Sequence, residues 1–280
     1  MSAPAPDWLG AARGASEELA AILGRAATTA ERARETGARG HGGDWTLEID
    51  AAAEAAVFER LEALAGAGHR FTAYSEERGR IDFDGDPARP VLVVIDPLDG
   101  SRNAKRGLPH FALSLAVAEG DTMADVVFGY VHDFGPREEW VASRGGGATL
   151  NGAPLDPALE ERRVRGRLEL VGVEAADPRW IRDAAPELVE AAHRVRTVGA
   201  IAVSLCQVAA ARLDGMVTLK RARAVDVAAG QLIVREAGGR VAFTACAEPL
   251  GAPLDAPGAV SPIVAARSDA GLQELARLPR

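Results

Sequence analysis

Apolar and polar positions alternate with a helical period from residue 7 to residue 35, which predicts one long amphipathic helix closing near Gly37. The segment that follows, GARGHGGDW, is rich in glycine and is expected to be a mobile loop. Between Asp50 and Leu64, Val57, Leu61 and Leu64 recur at helical spacing until Gly66 and Gly68 end the run. The pattern then changes to short apolar and β-branched runs, FTAYSEE, VLVVIDP, FALSLAVAEG, DVVFGYVHD and EEWVASRG, with turn residues between them; these read as strands. ATLNGAPL carries Asn151-Gly152, a strong hairpin signal. The second half alternates again. RLELVGV reads as a strand, PRWIRDAAPELVEAA as a helix, HRVRTVG as a short strand and AIAVSLCQVAAARLDG as a small-residue helix. MVTLKRARA reads as one strand, DVAAGQLIVREAGG as a helix closed by Gly238-Gly239, and VSPIVAARS as a last strand. Strands and helices in stacked layers make the fold class α/β or α+β.

A polar stretch, PLDPALEERRVRG, marks a soft boundary near residues 150–165. The chain therefore divides into an N-terminal half, 1–150, and a C-terminal half, 151–280, within what is expected to be one family-sized domain. No internal repeat interrupts this order. Composition adds exclusions rather than a function. The 280 residues are 48% apolar and 26% charged, ordinary for a globular chain, and the formal net charge of −8 argues against a nucleic-acid or anionic-membrane surface. The N-terminus lacks the basic start and apolar run of a signal peptide, and no stretch approaches the ~18 apolar residues of a membrane span. Cys206 and Cys246 lie far apart and are expected to be buried reduced thiols, which suits a cytoplasmic location.

The chemistry concentrates where apolar runs stop. In VVIDPLDGSRN, a buried strand ends on Asp96, with Asp99 across a Pro-Leu turn and Gly100-Ser101 after it. Carboxylates at a strand end are costly near a core unless something pairs with them, and a hard cation pairs with several at once. Alone, D-x-x-D-G-S also fits an N-cap and a turn. Two further acidic sites shift the balance: YSEER places Glu76 and Glu77 after a short strand, and AVDVAAG places Asp226 at a helix start. Three acidic element ends, far apart in sequence, are what a metal-dependent phosphatase gathers from one chain.

Taken in order, SEE, DPLDGSRN, GGGATLNG, VGAIAVSL and VDVAAGQLIVREAGG resemble the signatures of the inositol monophosphatase family over roughly residues 10–270. DGSRNAKRGLPHFALSLA and the helix entry VDVAAG look most like its archaeal-type dual inositol monophosphatase/fructose-1,6-bisphosphatase members. The resemblance implies an α+β fold, a layered α-β-α-β-α sandwich, assembled as a homodimer. It implies a phosphatase holding two or three Mg2+ ions and acting on a small phosphate monoester, inositol 1-phosphate or fructose 1,6-bisphosphate. By the same resemblance, Glu76 holds the catalytic Mg2+ and helps activate water, Asp96 bridges two metals, and Leu98 offers only its backbone carbonyl. Asp99 and Asp226 complete the second metal. Ser101, with Asp50 in LEID, polarises the attacking water. Substrate contacts fall on Asp99, Gly100, Ser101, Arg196, Ile201, Lys220 and Arg221.

Two positions depart from the family pattern. Val225 stands where most members have Trp. Leu219 stands where the animal-type enzymes place an inositol-binding acid, and Lys220, Arg221 and Arg223 follow it. A cation beside that position suits the second phosphate of a bisphosphate. A 3'-phosphoadenosine 5'-phosphate phosphatase of the same family, and a non-catalytic binding or regulatory member, are the alternatives. His110 and Glu236 read as structural, GGGATLNG as a hairpin, and LEERRVRGR as a solvated surface.

Overall fold

The computed structural model describes residues 5–26, 28–39, 45–88 and 90–278. The first half contains α1 (Trp8–Arg25), α2 (Thr29–Arg32), β1 (Glu35–Arg39), β2 (Trp45–Leu47), α3 (Glu48–Gly66), β3 (Phe71–Ser75) and β4 (Gly79–Phe83). It continues with β5 (Leu92–Asp99), α4 (Ser101–Arg106), β6 (Ala112–Ala118), β7 (Val126–Asp133), β8 (Glu138–Ser143), β9 (Gly147–Leu150) and β10 (Ala153–Pro154). The second half contains β11 (Arg163–Val164), β12 (Arg167–Glu174), α5 (Pro178–Ala191), β13 (Ala192–Arg196), α6 (Ile201–Ala209) and β14 (Gly215–Thr218). It ends with β15 (Ala222–Arg223), α7 (Ala224–Glu236), β16 (Arg240–Phe243), β17 (Ala259–Ser261), β18 (Ile263–Ala266) and α8 (Asp269–Leu275).

Eight strands form one sheet in the order β10-β9-β8-β7-β6-β5-β3-β4, antiparallel except for the parallel β3–β5 pair. Six form a second, β11-β12-β14-β18-β16 with β13 parallel on β12. Strand periodicity shows how the layers stack. On β6, Leu113, Leu115 and Val117 face a core shared with α1 and α3, whereas Ala112, Ala116 and Ala118 face α6 and α7. Alanines on that face let α7 approach closely. At Gly129 on β7, an added Cβ would stand 2.9 Å from the Ala229 carbonyl oxygen. α5 and α8 cover the outer face of the second sheet with Leu188, Ala191 and Leu275. The result is the α-β-α-β-α sandwich expected.

Some local expectations change. The helix expected over 7–35 stops at Arg25, and Thr28 starts a new one. Thr28 Oγ1 accepts from Glu31 N (3.2 Å) while the Glu31 carboxylate accepts from Thr28 N (2.9 Å), a capping box that favours a fresh N-terminus over continuation. Part of the expected glycine loop, residues 37–39, belongs to β1, which pairs with β2; residues 40–44 lie outside the described residues. MVTLKRARA is not one strand: β14 lies in the six-stranded sheet, and β15 pairs with β17 in a separate ribbon. Asn151 (φ 50°) and Gly152 (φ 77°), between β9 and β10, both have the positive φ of a type I′ turn, and at the preceding turn Glu236 accepts from Gly145 N and Gly147 N (3.0 Å each), tying the β8–β9 hairpin to α7. Cys206 is buried and Cys246 half-buried, both as free thiols. Among the described residues no helix is long and apolar enough to cross a membrane.

Candidate metal centre

Period two along β5 sends Val93 and Ile95 to the α1/α3 side and Leu92 and Val94 to the α7 side, so Asp96 faces α7. Asp99, three residues on, would face the other way in a regular strand. The ladder slips between them: Asp96 pairs with Ser114 and Asp99 with Ala112, three residues on β5 against two on β6. This β-bulge brings both aspartates to one face. Leu98, within it, packs among Leu23, Ile49, Ala104 and Phe111. Gly100 then takes φ 83° and turns the chain into α4, where a Cβ would come within 2.9 Å of Ala200 Cβ and the His110 carbonyl oxygen. Ser101 is the first residue of α4.

Three chain segments meet there. Glu76, just past β3, Asp96, on β5, and Asp226, in the first turn of α7, each offer a carboxylate oxygen, all within 4.8 Å of one another. Asp96 Oδ1 accepts from Leu98 N (2.9 Å), while its Oδ2 is buried without a hydrogen-bond partner. Burial, and then the charges of Glu76, Asp99 and Asp226, push the Asp96 carboxyl well above the usual aspartate range. Burial also raises Glu76, against the pull of Arg223. Asp99 sits on the opening turn of α6, accepting from Ala202 N (2.8 Å) and Ile201 N (3.3 Å); burial and the charge of Asp226 push it well up. An oxygen-only, all-carboxylate donor set with an orphaned buried oxygen fits a hard divalent cation.

The other expected site residues spread further. Asp50 is buried in the first turn of α3. Arg196 ends β13 on the exposed surface and lines a cavity of about 640 Å3 with Asn103, His110, Gly199 and Arg212. Lys220 Nζ lies 5.4 Å from the centre of the Trp180 ring, and Arg221 Nη1 donates to the Val260 carbonyl (3.2 Å). The structure thus joins Glu76, Asp96 and Asp226, and joins Asp99 to Ile201, but ties Lys220 to α5 and Arg221 to β17. His110 is held as a structural histidine by Asp133, with Nδ1 2.7 Å from Oδ2.

Three more residues shape the centre, of which the sequence had marked only Arg223, as a cation after Leu219. Arg223 reaches both Glu76 and Asp226. Glu54, one turn after Asp50, accepts from Ser75 Oγ, and burial raises its carboxyl to about 7. Glu174, at the end of β12, accepts from Val198 N (2.8 Å), Gly199 N (3.0 Å) and Ser204 Oγ (2.6 Å), fixing the turn into α6 that Asp99 uses. The i, i+3 spacing of Arg223 and Asp226 was a visible signal; Glu54 and Glu174 sit in ordinary helix and strand patterns with no local mark.

A sequence profile of the inositol monophosphatase family matches residues 8–277. A fructose-1,6-bisphosphatase/inositol-1-monophosphatase of Thermococcus kodakarensis is 39% identical over 200 residues, 71% of this chain and 70% of that protein. A Nus factor SuhB of Haemophilus influenzae is 36% identical over 203 residues, 71% of each chain. Among solved structures, an inositol monophosphatase from Anabaena superposes with a TM-score of 0.72 at 25% identity, over 97% of this chain and 96% of that one.

Proposed function

Since the chain belongs to the inositol monophosphatase family, we propose that it is a Mg2+-dependent phosphatase that hydrolyses phosphate monoesters of inositol and sugars at the Glu76–Asp96–Asp226 centre. The observation that carries this reading is the gathering of those three carboxylates within 4.8 Å, with Asp96 Oδ2 buried and unpartnered. Glu76, Asp96 and Asp226 would hold the metal, with the Leu98 carbonyl and Asp99 available as further ligands. Bound there, Mg2+ would supply the positive charge a phosphate monoester needs and lower the pKa of water, so that it gives up a proton as it attacks phosphorus.

The chain's own residues do the rest. Ser101, opening α4 beside the bulge, would orient the attacking water and pass its proton on, with Asp50 as the acid behind it. Proton transfer by a positioned group contributes roughly 10²–10⁴-fold. Gly100 keeps the turn small enough for backbone to approach the phosphate. No covalent intermediate on Ser101 is part of this scheme.

For substrate preference, the relative from Thermococcus kodakarensis carries both activities in its name. In this chain an acid is missing at Leu219, and a cation, Arg196, lines a cavity that reaches Gly199, whose carbonyl oxygen lies 3.3 Å from where a Cβ on Gly100 would stand. The Arg196 guanidinium, which donates to the Val195 carbonyl (2.9 Å), would offer that cavity a planar fork suited to a second phosphate. Fructose 1,6-bisphosphate and inositol 1-phosphate are therefore both expected substrates. Phosphate release from a panel of monoesters and bisphosphates, with Mg2+ and with chelator, tests the reading. Release that persists in chelator, or no release from any member in Mg2+, overturns it.

A further inference from the structure

Carboxylates crowded within 4.8 Å repel one another unless a cation stands among them. Here one does: the side chain of Arg223, the residue that leads into α7. Its Nη1 donates to Glu76 Oε1, its Nη2 to Asp226 Oδ1 at 2.9 Å, and its Nε to Asp226 Oδ2 at 3.3 Å. The Arg223 backbone N–H also donates to Asp226 Oδ2 at 3.3 Å. One residue therefore engages both oxygens of Asp226 and one of Glu76, and leaves only Asp96 of the three without a guanidinium bond. The Arg223 side chain is 34% exposed, so a path to solvent is open.

A guanidinium and a magnesium ion want different things from these oxygens. The fork of Arg223 takes them pairwise, at hydrogen-bond distance. Mg2+ takes single oxygens at about 2.1 Å in a near-octahedral shell. If both used Asp226 together, a unit and a double positive charge would stand only about 4 Å apart, an arrangement strongly disfavoured outside bulk water.

On the metal reading of the site given above, we infer that Arg223 is a positioning residue that competes with the metal. It holds Glu76 and Asp226 in register while the site is empty of metal, and metal uptake displaces its guanidinium from Asp226. Glu76 and Asp226 belong to segments 150 residues apart, so a cation bridging them keeps a preformed site without metal. The cost is weaker metal binding than three bare carboxylates would give. An arginine with a purely structural role would bridge the same pair with or without metal and act on metal affinity only through its charge, which Arg223→Lys retains.

The test measures Mg2+ binding to chelator-treated full-length protein by calorimetry, alongside the thermal midpoint with and without Mg2+. Arg223→Met should bind Mg2+ about ten- to a hundredfold more tightly, the range for removing one charge-assisted hydrogen bond that must otherwise be broken. Its metal-free midpoint should fall by about 3–6 °C, and saturating Mg2+ should close that gap. Arg221→Met removes a neighbouring charge bonded to the Val260 carbonyl rather than to the acids, and should change affinity less than about threefold. Unchanged or weaker Mg2+ binding in Arg223→Met overturns the inference. So does equal tightening in both variants, because charge alone would then explain it. Should Arg223→Met not fold, Arg223→Lys decides, since it keeps the charge but loses the fork: tighter binding than wild type supports displacement, and equal binding overturns it. If neither wild type nor any variant takes up Mg2+, the metal reading fails first and this inference with it.

Discussion

Replacing Asp96 by Asn should separate stability from activity with opposite signs. The side chain is 1% exposed, and asparagine can keep the one hydrogen bond it makes, from Leu98 N to Oδ1. What it removes is a buried charge facing Glu76 and Asp226 within 4.8 Å. Two unit charges at that separation repel by about 3.5 kcal/mol at an effective dielectric of 20. Arg223 offsets part of this, which leaves a gain of about 1–2 kcal/mol for the metal-free variant. A chain of 280 residues shifts by about 2 °C per kcal/mol, so its midpoint should rise by about 2–4 °C. The pH dependence fixes the sign. The folded-state Asp96 carboxyl is held well above its unfolded value by burial and then by its acidic neighbours. Its contribution is fully present below the unfolded value and is lost as pH rises through the folded one. The asparagine variant skips that loss, so its advantage should widen with rising pH. Turnover should fall by several orders of magnitude, and the midpoint shift on adding Mg2+ should shrink or vanish. Scanning calorimetry in chelator across a pH series, with phosphate-release kinetics in Mg2+, reads both. A variant that is less stable without metal, or that keeps near-normal turnover, refutes the reasoning.

Other substitutions probe separate parts of the site. Ser101→Ala should lower kcat by about 10²–10⁴-fold while moving KM little, because the backbone at the turn is kept and the hydroxyl is lost; steady-state kinetics decide, and a trapped phosphoserine at Ser101 would contradict the relay role. Glu54→Gln keeps the acceptor for Ser75 but removes a carboxyl raised by burial to about 7. The wild-type contribution is lost between the ordinary glutamate value and about 7, so denaturant melts should show the two proteins alike near pH 4 and the variant ahead by about 3 kcal/mol near pH 8. Arg196→Ala should raise KM for fructose 1,6-bisphosphate at least about tenfold and leave inositol 1-phosphate nearly unchanged; equal effects on both would return Arg196 to the solvated surface.

Several features of the centre were legible in one dimension because they are local. The strand ending at Asp96, the glycine at 100 and the helix opening at Asp226 depend on β-branched runs, on a backbone angle that only glycine takes easily, and on an acid in a helix's first turn. The Asn151-Gly152 turn also follows from neighbours a few residues apart, whereas the break at Thr28 was hidden beneath a helical period that runs on to residue 35. Ordered signatures extended this to the layered fold, since matching motifs imply a matching chain path. Only the tertiary structure decided the rest. The slip in the β5–β6 ladder, which puts Asp96 and Asp99 on one face, depends on a partner strand and leaves no period of its own. The occupation of Asp99 by the amides of α6, the bridge of Arg223 from Asp226 to Glu76, and the commitment of Lys220 to Trp180 join residues up to 150 positions apart. A charge in a sequence shows that it needs a partner; which partner it takes depends on distances that exist only once the sheets and helices have packed.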